Sequence, residues 1–118
     1  MHGLLKSIWT IDGEDASQVI PDDAKCFSIW LRLHVGPSNG EGSESFDVNV
    51  CSPCWRAGQC ARDGFVVGRH HFVVNEYRFE LIRDKLAQLI SGCSGTTWHE
   101  AATKVARIGG WEFEDYVP

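Results

Sequence analysis

Alternation of apolar and polar residues is clearest from Cys26 to Val35, where Phe27, Ile29, Leu31, Leu33 and Val35 fall on one side and Ser28, Trp30, Arg32 and His34 on the other. A period of two with one wholly apolar side predicts a half-buried antiparallel strand. Residues 36–43, Gly-Pro-Ser-Asn-Gly-Glu-Gly-Ser, are dense in turn formers, and alternation resumes with Phe46, Val48 and Val50, so a long-looped hairpin is expected. Leu4 to Ile11 is β-rich with imperfect alternation and reads as a first strand closed by Asp12-Gly13. Glu14 to Lys25, acidic and containing Pro21, reads as a loop with one helical turn around Ala16 to Val19. Ser52 to Arg62 suits a single helical turn carrying Trp55, with Pro53 at its start, and Phe65 to Val74 is a further strand candidate interrupted by Gly68-Arg69.

From Asn75 the period becomes helical. Asn75 can cap, Phe79, Ile82, Leu86, Leu89 and Cys93 form a stripe, and Gly92 ends it. A second helix follows closely: Thr97 with Glu100 has capping-box spacing, Trp98, Ala101, Ala102, Val105 and Ile108 share a face, and Gly109-Gly110 stops it. Strands first and helices later, joined by hairpins, predict one α+β domain over residues 1–118, an antiparallel sheet of about four strands with two C-terminal helices packed on one face. Trp30, Arg32 and His34 then lie on the open face, where Trp30 is either packed under a loop or an exposed anchor for a partner. The closing Trp111-Glu112-Phe113-Glu114-Asp115-Tyr116 interleaves rings and acids, and Tyr116 falls out of step with strict alternation, so the segment must bend. Trp111 and Phe113 are expected in the core, with the carboxylates outward.

Charge changes this picture more than composition does. The net charge is −5, yet Asp12 to Asp47 holds two bases against eight acids, or −6, and Val48 to Gly110 holds eight bases against five acids, or +3. Residues 111–118 add a further −3. An acidic surface repels phosphate backbones and attracts cationic partners, which disfavours nucleic acid and favours a basic protein such as a nuclease. The apolar runs are broken by Lys6, Arg32 and Arg83 before they reach spanning length, and a cleavable leader is lacking at the start, so no membrane role and a cytoplasmic location are expected.

Candidate chemistry is sparse. Five cysteines scatter without a secreted framework, so free thiols are expected. Cys51-Ser52-Pro53-Cys54 with Cys60 and His70-His71 is the nearest approach to a metal or redox motif, and a zinc- or redox-responsive module on Cys51, Cys54 and Cys60 is the alternative function. The chain lacks a second cysteine pair, a nucleophile elbow, a phosphate loop and a His-Glu-x-x-His motif, so neither a cofactor nor catalysis is expected.

Several pieces in order resemble the immunity protein 8 family of small bacterial antitoxins that accompany polymorphic toxins and contact-dependent growth-inhibition effectors. They are Leu5-Lys6-Ser7, the strand closing in Gly36-Pro37, residues 42–48 leading to Val50-Cys51-Ser52-Pro53 and Trp55, Gly68-Arg69-His70, residues 91–95 with Thr97-Trp98, and the final Trp111 to Tyr116. Cys54 and Cys60 depart from the family pattern. The resemblance implies a non-catalytic protein that binds a cognate toxin domain and blocks its active site or a neighbouring surface. The candidate contacts are Asp12, Glu14, Asp15, Asp22, Asp23, Trp30, Glu41 and Glu44, with Glu112, Glu114 and Asp115 behind them.

Overall fold

The computed structural model describes residues 1–114. The alternating segment forms β2 (Ser28–Pro37), which pairs antiparallel with β1 (Gly3–Thr10) on one side and β3 (Glu44–Cys51) on the other. Leu31, Leu33, Val35, Phe46, Val48 and Val50 are fully buried on the same face, as strand alternation requires. In β1 the register shifts between Leu5 and Ser7, a bulge at Lys6 that accounts for the imperfect alternation. The hairpin loop closes tightly over Gly36, where a Cβ would lie 2.1 Å from the Gly42 carbonyl oxygen.

The far edge of β3 is shared by two short strands. β4 (His71–Val73) runs parallel to Asn49–Cys51, and β5 (Gly110–Trp111) runs antiparallel to Phe46–Asp47. Of the expected strand Phe65 to Val74 only these three residues pair, because Gly68-Arg69-His70 turns the chain, with His70 at φ 59°. The preceding segment is no single turn but a helix, α1 (Pro53–Asp63), capped by Ser52 Oγ accepting from Trp55 N and ended by Gly64 at φ 87°. A helical crossover between parallel strands thus replaces the expected hairpin.

Two more helices cover the apolar face: α2 (Phe79–Ser91) and α3 (Trp98–Val105). α2 buries Ile82, Leu86 and Ile90, and α3 buries Ala101, Ala102 and Val105. Leu89, expected in the stripe, is exposed, since Ile90 continues the series of Ile82 and Leu86 at i+4 and turns Leu89 outward. The first residue outside α2 is Arg78 rather than Asn75. Thr97 caps α3 as its spacing predicts, accepting from Glu100 N, while Glu100 reaches back to Thr96 N.

On the opposite face α1 stands over one end of the sheet. Asn49 and Cys51 have the outward parity yet are buried, with Trp55 against the ring of His71 and His71 Nδ1 3.8 Å from Cys51 Sγ. The rest of that face, along β1 and β2, is uncovered.

Candidate functional site

The uncovered face is built by cross-strand pairs. Trp9 stands opposite Arg32, Ser7 opposite His34, and Arg32 opposite Asp47. Trp30 is two residues from Arg32 on the same side, and Ile11 N donates to Trp30 O just past the end of β1. Trp9, Ile11 and Trp30 are 38%, 46% and 42% exposed, which excludes the reading of Trp30 as packed beneath a loop. Trp9 is held in place, its Nε1 donating to Ser7 Oγ at 3.1 Å, and Ser7 Oγ lies 3.0 Å from His34 Nδ1. Arg32 bonds both oxygens of Asp47 at 2.9 and 3.0 Å, so the cation in this face is neutralised. Trp9 and Ile11 do not stand out in the sequence because the bulge at Lys6 disrupts the alternation that would assign them a face.

The acids expected to contact a partner divide into two groups. Asp12, Glu14, Asp15, Asp22, Asp23 and Glu41 are all exposed. Among the described residues Asp12, Glu14, Asp22 and Glu41 form no ion pair. Asp12 and Glu14 line a cleft of about 340 Å³ with Ile11 and Trp30. Asp15 bridges back to Trp9 and caps a 3-10 turn at Ala16–Gln18. Its carboxyl is held below the usual carboxylate range, first by the Ser17 backbone N–H and then by the Ser17 hydroxyl. Asp23 accepts from Lys25 N in its own loop.

The second group is engaged in the fold. Glu44 Oε1 accepts from Trp98 Nε1 at 2.9 Å and Oε2 from Trp111 Nε1 at 2.5 Å. Glu112 accepts from Ser45 N at 2.8 Å, and Glu114 pairs with Arg69. Trp111 stacks on Phe46 with ring centroids 6.0 Å apart, as expected of a core-side ring. Phe113 is exposed, contrary to expectation, because the chain turns after β5, where Glu114 N donates to Trp111 O. Asp115 and Tyr116 lie outside the described residues.

The thiols form no chelate. Cys54 is bonded to Cys26, correcting the expectation of free thiols throughout. The start of β2 and the first turn of α1 are drawn together as Ser52 N donates to Phe27 O and Phe27 N to Ser52 Oγ, leaving the two Cα atoms 5.0 Å apart. Cys51 is buried and Cys60 exposed. Burial raises the Cys51 thiol, with Arg56 opposing as the smaller effect. Among the described residues no cluster of three or more His, Cys, Asp or Glu could hold a metal ion. The bonding of Cys54 to Cys26 removes the Cys51/Cys54 pair on which the zinc reading depends.

An open cleft of about 700 Å³ lies between the turn at Gly68–His70 and α3, lined also by Trp111 and Phe113. His70 Nε2 lies 3.0 Å from Ala106 O and His99 packs on Trp111, so both rings have structural contacts. No helix among the described residues is long and apolar enough to cross a membrane.

A protein-family model described as Immunity protein 8 matches residues 4–116, nearly the whole chain. No curated protein and no solved structure matches it.

Proposed function

Because the chain belongs to the immunity protein 8 family, we propose that it binds a cognate bacterial toxin domain, a basic nuclease, and neutralises it by covering the active site or the surface beside it. The observation that carries the basic partner is the charge of −6 between Asp12 and Asp47, with Asp12, Glu14, Asp22 and Glu41 exposed and unpaired among the described residues. Unpaired carboxylates steer a cationic protein and speed encounter, and they oppose binding of nucleic acid by the antitoxin itself. The reading places both proteins in the bacterial cytoplasm, in a polymorphic-toxin or contact-dependent growth-inhibition system, with sequestration rather than catalysis as the mechanism. The zinc form of the Cys51/Cys54/Cys60 alternative has lost its geometry, since Cys54 is bonded to Cys26.

The test is co-expression with the C-terminal domain encoded by the adjacent reading frame. Protection of the host and co-purification of the two chains are expected. Loss of viability together with no complex would overturn the reading.

A further inference from the structure

We propose that the outer sheet face centred on Trp9, Ile11 and Trp30 is the surface that takes the toxin domain, and that the toxin offers it a cationic patch of lysine or arginine side chains. The inference rests on the reading of the chain as an immunity protein and adds which surface binds and what chemistry meets it.

Three features converge on this face. Two indoles and an isoleucine are each more than a third exposed on neighbouring positions, and interface energy concentrates in Trp, Tyr and Arg. The support is rigid: both tryptophans sit on paired strands, and the Ser7 hydroxyl fixes the Trp9 ring, so little order has to be gained on binding. The rim is acidic. Asp12 and Glu14 share a cleft with Ile11 and Trp30, and Asp15 lies against Trp9, while Asp47 neutralises Arg32 within the face. Indole faces bordered by carboxylates suit the aliphatic stem and charged head of lysine or arginine.

Other occupants fit less well. A second copy docked symmetrically would bring to Asp12 and Glu14 the same face, whose Arg32 is already paired with Asp47. Nucleic acid would bring phosphates to the same carboxylates. The acids near the C-terminus are poorer candidates, since Glu44, Glu112 and Glu114 are committed to Trp98, Trp111, Ser45 and Arg69.

The experiment measures binding of the purified chain to the adjacent frame's C-terminal domain, carried as an inactive variant. Trp9→Ala and Trp30→Ala should each weaken affinity about 30-fold or more while keeping the wild-type circular dichroism and melting profile. Asp12→Lys with Glu14→Lys should slow association about tenfold at low salt, and the difference should shrink as salt rises. Glu41→Lys, at the hairpin end of the sheet away from Trp30, should change the rate less. Wild-type-like affinity in both tryptophan variants would overturn the assignment of this face while leaving the immunity reading intact. So would a wild-type dimer that Trp30→Ala dissociates and that the toxin domain does not displace. Failure of the wild-type chain to bind or protect would instead remove the immunity reading, and this inference with it.

Discussion

Trp111 donates its indole N–H to Glu44 across 67 residues of sequence, and the second oxygen of the same carboxylate accepts from Trp98. One half-buried carboxylate therefore ties the start of β3 to both α3 and β5. Glu44→Ala should destabilise the fold by about 2 kcal/mol, because it removes two charge-assisted bonds and leaves two indole N–H groups without their acceptor. Glu44→Gln should lie between, since an amide offers one acceptor oxygen and turns a donor toward the other indole. Urea unfolding of the two variants measures this. An unchanged midpoint in Glu44→Ala would show that the clasp contributes nothing to stability.

The Cys26–Cys54 bond closes a loop with a sequence separation of 28. By loop-closure entropy, such a constraint stabilises by about 3.6 kcal/mol. The Cys26→Ser/Cys54→Ser double variant, and the wild-type chain under reductant, should unfold at lower urea by matching amounts. A midpoint indifferent to reductant would mean that the bond does not form in solution.

The three free cysteines should react very differently. Burial raises the thiols of both Cys51 and Cys93 and hides them from solvent, whereas Cys60 is exposed on α1. An aromatic disulfide reagent should therefore modify one thiol quickly in the native chain and two more only on unfolding. Cys60→Ala should abolish the fast phase. Rapid loss of Cys51 instead would show that α1 does not shield the end of the sheet.

The parts of this fold that are legible in the sequence are those in which one element buries one whole face. β2 announces itself because Leu31, Leu33 and Val35 are all fully buried while Trp30, Arg32 and His34 are not, and α3 because its cap and its buried alanines agree. The full length of α1 escapes because none of its residues is buried, so it has no apolar stripe to detect; Pro53 signals only its first turn. β4 is hidden by a parallel pairing that depends on the crossover preceding it. At the candidate site the acids of the first loop are visible as charge, and Trp30 as an outward residue on a clear strand. Separating the unpaired Asp12 and Glu14 from the engaged Glu44 requires knowing where Trp98 and Trp111 come to rest.

The His71 ring, packed between Cys51 and Trp55, gives the chain a pH response of its own. Burial holds its pKa below the usual histidine value, with the nearby Arg56 charge a smaller cause in the same direction. The unfolded chain then takes up the proton first as pH falls, near about 6.5. The stability that neutral His71 confers is complete above that value and is lost as pH drops from there through the lower, folded-state pKa. Between about pH 6.5 and 5, above the titration range of ordinary carboxylates, the melting temperature of the wild-type chain should fall with pH. His71→Asn, of similar polarity and unable to protonate, should flatten that slope while leaving the acid transition at lower pH. An identical slope in wild type and variant would show that His71 is not the group responsible.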